Sequence, residues 1–268
     1  MGFLTEVVRG VHRRLERHPL DDARMMTLAL ALPPARPFAD ALRSAAPPAI
    51  VAEVKRSSPS AGRIADADPA DLARAYEAAG AAAVSVLTEA EHFDGALADL
   101  RAVHLAVRIP VLRKDFLVHP SQVIESRVEG ADAVLLIAAA LSKLELKAML
   151  AAARDLGLGA LVETHSAEDL DKALATDAEV VGVNARDLET LDVDLERALA
   201  LLERVPGDRV AVLESGIASR EQVERAASAG ARAILVGEAL MRAEDPGAKL
   251  LELRGSSSAA VASGSGVA

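Results

Sequence analysis

Two opposite charges, Glu53 and Lys55, stand two residues apart at the end of an apolar run, Ala49-Ile50-Val51-Ala52. Prolines precede the run and a serine-rich turn, Ser57-Ser58-Pro59-Ser60, follows it, which is the pattern of a short buried strand. Residues two apart on a strand share a face, so if Val51 faces a core, Glu53 and Lys55 do too. Desolvating either charge alone is costly. The pattern of an apolar strand ending in a polar group recurs at Glu89, Lys114, Glu163, Asn184, Glu214-Ser215 and Gly237. Lysines facing carboxylates can hold and move protons near neutral pH.

Positioning such groups needs a repeating scaffold. Apolar strands alternate with helical patterns that open on Asp68-Pro69, Ser121, Ser142, Ser166 and Ser219 as N-caps. Alternation of this kind predicts a parallel sheet. Eight strand–helix units in about 210 residues suit a closed (β/α)8 barrel, an α/β fold, whose chemistry sits at the carboxyl ends of its strands. An open doubly wound sheet is the main alternative, but no Gly-x-Gly-x-x-Gly follows the first strand. Residues 1–48 read as a helical N-terminal extension, with a helix over Phe3 to Arg17, a proline-rich loop and a short helix from Phe38. Residues 49–254 read as the barrel and residues 255–268, rich in Gly, Ser and Ala, as a disordered tail.

Ser215-Gly216 and Gly237-Glu238 place small residues where backbone N–H groups can meet an anion, and barrels often bind phosphate after strands 7 and 8. Ser58 and Lys55 could complete that cradle. For any one strand end, a structural ion pair or a solvated rim charge is the plain alternative. Two inward lysines with three inward glutamates exceed what a structural network needs. Of the six histidines only His165 lies just past a strand end, and it reads as a loop residue.

Composition sets limits. The chain has 268 residues, 51% of them hydrophobic, with no Cys, no Trp and one Tyr, so its core is aliphatic and no thiolate site exists. A net charge of -10 opposes general nucleic-acid binding. No apolar run has the length of a membrane span, and no signal-peptide pattern is present. No metal-ligand cluster is evident, so neither a metal nor a cofactor is expected.

Seven segments together resemble the indole-3-glycerol-phosphate synthase family: Glu53-Val-Lys55-Arg-Ser-Ser58-Pro-Ser60, Ser85-Val-Leu-Thr-Glu89, Pro110-Val-Leu-Arg-Lys114-Asp115-Phe116, Leu161-Val-Glu163, Gly182-Val-Asn184-Ala-Arg186-Asp-Leu188, Glu214-Ser215-Gly216 and Leu235-Val-Gly237-Glu238. The resemblance spans about residues 4 to 253 and implies one substrate, 1-(2-carboxyphenylamino)-1-deoxyribulose 5-phosphate. That substrate is closed to a ring, decarboxylated and dehydrated to indole-3-glycerol phosphate in tryptophan biosynthesis. By the same resemblance Lys114 is the general acid of ring closure, Glu163 the partner acid–base group, and Glu53 and Lys55 the charged pair beside them. Asn184 orients substrate hydroxyls or Glu163. Arg186, Glu214 and Ser215 contact substrate, and Lys55, Ser58, Ser215, Gly216, Gly237 and Glu238 border the phosphate. Phe93 and Phe116 are candidates to pack on the anthranilate ring, with core packing as the alternative. A small phosphorylated substrate, a monomer, other pathway enzymes as candidate contacts and a cytoplasmic location complete the expectation. The main departures are Asp94 before Gly95, Ala185 after Asn184 and Thr164 after Glu163. Two rivals remain: a phosphoribosyl-sugar isomerase barrel, which typically pairs a carboxylate with a Cys or second Asp, and a non-catalytic phosphate-binding barrel.

Overall fold

Runs of Val, Leu, Ile and Ala too short for helices form strands whose two faces are both covered, which is the pattern of a parallel sheet wrapped in helices. In a computed structural model, which describes residues 2–58, 62–63, 67–188 and 190–255, eight such strands close into a barrel. They are β1 (Ala49–Val54), β2 (Ala83–Leu87), β3 (Val111–Lys114), β4 (Ala133–Ile137), β5 (Gly159–Thr164), β6 (Val180–Asn184), β7 (Val210–Glu214) and β8 (Ala233–Val236). All neighbours are parallel and follow chain order, and β1 closes the ring by pairing Ala52 with Val84 of β2 and with Val236 of β8. Every residue of β1, β2, β4, β6, β7 and β8 is buried.

Among the described residues, eight helices of eight residues or more, from Pro69–Ala78 to Pro246–Arg254, cover the strands, with two four-residue helices, Ala90–Phe93 and Glu238–Met241, beside them. Asp68 caps the first through the N–H groups of Ala70 and Asp71, and Ser142, Ser166 and Ser219 each accept from the third residue of their helices. The helix Pro120–Val128 departs from the expected Ser121 cap: Pro120 takes its first position and the ring of His119 accepts from Ser121 N–H. The last helical segment divides at Pro246 into Glu238–Met241 and Pro246–Arg254.

The N-terminal extension holds three helices: α1 (Phe3–Arg17), α2 (Asp22–Ala31) and α3 (Phe38–Ser44). The sequence reading missed α2. Its apolar residues lie all round rather than in one stripe, so it lacks the periodic signal: only Ala29 is buried, while Leu28 and Leu30 stay exposed. Arg36 straps the extension to the barrel. Its N–H donates to Asp132 Oδ1 at 2.8 Å, and its guanidinium donates to the carbonyls of Ile109 and His104, both at 2.9 Å. The predicted tail from residue 256 onward, Ser60, and the side chain of Ser58 lie outside the described residues. No helix among the described residues is long and apolar enough to cross a membrane.

Candidate active site

The carboxyl ends of the strands form one cavity. Strand β1 carries Glu53 into it, and Lys55 follows one residue past the strand with Nζ 3.0 Å from Glu53 Oε1. The two share a face, as their spacing requires. The next residue, Arg56, grips Asp99 through Nε at 3.0 Å and Nη2 at 2.9 Å, a bidentate pair that fixes the loop holding Lys55. Just past the adjoining strand β8, Gly237 leaves room for Glu53: a Cβ at that position would collide with Oε1.

Strand β3 supplies Lys114, and its neighbours hold it still. Arg113 and Asp115, on the opposite face, form a buried network. Arg113 Nη2 donates to Asp115 Oδ2 at 2.9 Å and Nη1 donates to Glu125 Oε2 at 2.9 Å. Thr88 Oγ1 donates to the same Asp115 oxygen at 2.7 Å, while Asp115 Oδ1 accepts the N–H of Phe116 at 2.8 Å. The strand end is thus fastened to helix Pro120–Val128 on one side of Lys114 and to the Phe116 loop on the other.

Lys114 Nζ donates to Glu163 Oε2 at 2.8 Å and to Glu214 Oε2 at 3.0 Å. Glu163 comes from β5 and Glu214 from β7, so three alternate strands meet at one ammonium. Gly182 of β6, between them, makes this possible, since a Cβ there would strike Glu214 Oε1. Burial opposes the charge on Lys114, but Glu163, Glu214 and Glu53 outweigh it and hold the lysine above its ordinary pKa. Burial likewise opposes ionisation of Glu163, yet Lys114 and His165 outweigh it and hold this carboxylate well below the usual range. Glu214 goes the other way: burial, opposed by Lys114 and reinforced by Glu163, pushes it up to about 8. The two carboxylates are thus pushed apart, Glu163 toward its ionised form and Glu214 toward its protonated form, with the lysine cation between them. A proton donor and a proton acceptor are then in place together.

The remaining wall separates by chemistry. Phe93, Phe116, Leu135 and Ile137, from β4 and the loops after β2 and β3, make an apolar side, and Leu188 joins the lining from the loop after β6. The rings of Phe93 and Phe116 lie 6.4 Å apart, and Phe3 of α1 backs Phe116 edge-on at 6.3 Å. Phe3 was not foreseen. The opposite side holds Ser215, Gly216, Gly237 and Glu238, with Asn184 and Arg186 between. Ser215 and Gly216 both take left-handed φ values, 66° and 76°, so the chain turns sharply after β7 and exposes its backbone. Asn184 Oδ1 accepts the N–H of Arg186 at 2.9 Å, and Arg186 Nη2 lies 3.6 Å from Glu238 Oε2.

Glu89 departs from the expected convergence. Its oxygens accept the N–H groups of Glu91 at 3.0 Å and His92 at 2.7 Å, capping the short helix Ala90–Phe93, and it does not line the cavity. His165 departs in the opposite sense. It is the loop residue just past β5 that the sequence predicts, but it is buried, with Nε2 3.1 Å from Glu163 Oε1. The spacing rule that pairs Glu53 with Lys55 also puts His165 on the face of Glu163, and that was the available signal.

A closed parallel barrel with a polar cavity at the carboxyl ends of its strands defines a (β/α)8-barrel enzyme. Solved structures share this fold at low identity. A 3-hexulose-6-phosphate synthase aligns with a TM-score of 0.60 at 20% identity, over 78% of this chain and 100% of that one. A thiamine phosphate pyrophosphorylase from Pyrococcus furiosus aligns with a TM-score of 0.58 at 18% identity, over 82% and 96%. The sequence decides the family. The profile of the family "Indole-3-glycerol phosphate synthase" matches residues 4–253. The protein of that name from Micrococcus luteus is 48% identical over 264 residues, covering 96% of this chain and 98% of its own. Its namesake from Nocardioides sp. is 49% identical over 249 residues, covering 92% and 95%. The chain belongs to the indole-3-glycerol phosphate synthase family, whose members are carbon–carbon lyases.

Proposed function

We propose that this chain converts 1-(2-carboxyphenylamino)-1-deoxyribulose 5-phosphate to indole-3-glycerol phosphate, CO2 and water by lysine and glutamate acid–base catalysis. The observation that carries the reading is the Lys114 ammonium held between Glu163 at 2.8 Å and Glu214 at 3.0 Å. Lys114 donates a proton to the C2 carbonyl oxygen as the ring carbon bearing the carboxylate attacks C2. The positive charge left on the ring nitrogen then draws the electron pair of the departing CO2. Departure of CO2 thereby restores the benzene ring, and loss of the C2 hydroxyl and a C1 proton as water, with proton transfers through Glu163, completes the aromatic indole. The sequence is redox-neutral, and its electron sink is the substrate's own nitrogen.

The cavity's division supports the same placement. The anthranilate ring lies against Phe93 and Phe116, and the phosphate lies at the Ser215-Gly216 and Gly237 loops, with Ser58, Lys55 and Glu238 at its border. Lys55, paired with Glu53, reaches the anionic groups of the substrate, and Arg186, Asn184 and Glu214 orient its hydroxyls. A monomeric, cytoplasmic enzyme is part of the proposal, and light scattering on the purified chain tests the first of these properties. The activity itself is tested by incubating the protein with the substrate in the presence of a chelator and following indole fluorescence. Growth of that signal supports the reading, and its absence from active-site-titrated, folded protein overturns it.

A further inference from the structure

His165 is buried, 8% exposed, and neither of its ring nitrogens has a hydrogen-bond partner. An unpartnered buried polar group is uncommon and calls for an explanation. Its Nε2 lies 3.1 Å from Glu163 Oε1, close enough to bond but not aligned to do so in this state. Catalytic hydrogen bonds in ligand-free structures are often misaligned in this way and tighten with substrate. The other oxygen of Glu163, Oε2, is held by Lys114 at 2.8 Å. The carboxylate therefore has a lysine at one oxygen and an imidazole at the other.

We propose that His165 is a positioning residue for Glu163: its Nε2–H holds Oε1, leaving Oε2 as the oxygen that exchanges protons beside Lys114. The inference deepens the acid–base reading above and rests on it. The backbone keeps the imidazole in place, because His165 N–H donates to Asp169 Oδ2 at 3.3 Å and Ser166 Oγ donates to the same oxygen at 3.0 Å. The charged groups around this pair are few. Lys114 reaches Glu163 from β3, Glu214 of β7 shares that ammonium and acts on Glu163, and Asp169 and Lys172 stand on helix Ala167–Leu174. The turn Ala138–Ala140, which packs on that helix, carries no ionisable side chain. With Asp169 occupied by Ser166, the His165 backbone and Lys172, Glu163 is the nearest carboxylate left to the ring. An imidazole donor favours the ionised form of Glu163, in the same direction as the lysine.

Two substitutions separate positioning from packing. His165→Gln keeps a neutral donor near the place of Nε2, and His165→Leu keeps bulk without a donor. Loss of one hydrogen bond to a charged group predicts a drop in kcat of roughly tenfold or more for His165→Leu, with KM little changed. His165→Gln should retain most of kcat. The limb of the kcat–pH profile that depends on Glu163 should move to higher pH in His165→Leu and less in His165→Gln. An independent readout needs no turnover: in 15N–1H spectra the His165 ring signal, identified by its loss in His165→Gln, should show the Nε2–H tautomer and shift in Glu163→Leu. Equal losses in both variants with an unmoved pH limb would show a packing role and overturn the proposal. So would a ring signal indifferent to Glu163→Leu. If wild-type protein lacks synthase turnover while the ring signal responds to Glu163, the functional reading fails and the His165–Glu163 contact stands.

Discussion

Lys114 and Glu163 face each other across the barrel mouth from β3 and β5, with Nζ 2.8 Å from Oε2 and strand β4 lying between their strands. Strand β4 ends in Ile137 and contributes no charge to the mouth, so the pair meets over an apolar neighbour. Water has little access to the contact, which strengthens it and fixes its geometry. The network of Arg113, Asp115 and Thr88 behind β3 keeps Lys114 from drifting.

Replacing Lys114 by Met removes the proton donor and keeps much of the stem volume. A positioned acid contributes about 10²–10⁴-fold in rate, and kcat should fall by at least that range. Circular dichroism should be unchanged, because Glu163 and Glu214 can neutralise by taking up a proton. Binding of the phosphate end should persist. Steady-state turnover and calorimetric titration with a phosphorylated analogue check this. A variant that keeps more than about a tenth of wild-type kcat would transfer the acid role to Lys55.

Glu214 and Glu163 give opposite pH dependences. Glu214 is raised to about 8, so its contribution to stability is full below its ordinary value of 4.5 and is lost as pH rises through about 8. Glu163 is lowered, so its contribution is present above its ordinary value and is lost as pH falls through the depressed one. Glu214→Gln should therefore flatten the loss of stability between about pH 5 and 8, read from urea unfolding at several pH values. The same substitution should remove the alkaline limb of kcat near pH 8 that deprotonation of Glu214 produces.

The sequence assigns Gly237 to backbone approach to phosphate. Its position shows a second demand, since a Cβ there would strike the carboxylate of Glu53. Gly237→Val should lower kcat by displacing Glu53 and Lys55 as well as raise KM, and a KM effect alone would mean that Glu53 had room to move. Gly182→Ala makes the matching test for Glu214, with a predicted loss in kcat and little change in KM.

Arg113→Leu should destabilise the fold by about 3–5 kcal/mol, the usual consequence of leaving a buried charge without its partner. Its guanidinium is buried among Asp115, Glu125, Thr88 and Ser126. Adding Asp115→Leu should restore part of the loss, and a double-mutant cycle in denaturant measures how much. Purely additive losses would show that the two do not act as a pair.

The order of the strands was legible in sequence because buried parallel strands are short apolar runs between helix caps, a local pattern. Glu53 and Lys55 were legible as a pair for the same kind of reason, because their meeting depends only on strand periodicity. Helix α2 was not legible, since its contact with helix Pro120–Val128, not an amphipathic stripe, places it. Glu89 and Glu163 look alike as charges at strand ends, yet one caps a helix and the other faces a lysine. That difference depends on the turn after each strand and on what stands across the barrel. The sequence by itself determined the barrel, most of the charges at its mouth and the family. Only the tertiary structure decided that one ammonium is shared by two carboxylates from β5 and β7, that Gly182 leaves room for Glu214 and Gly237 for Glu53, and that His165 is buried behind Glu163. The shared ammonium and the glycine clearances join residues far apart in the chain, and they exist only once ring closure fixes the strand register, whereas the approach of His165 to Glu163 is local and needed the fold only to bury it.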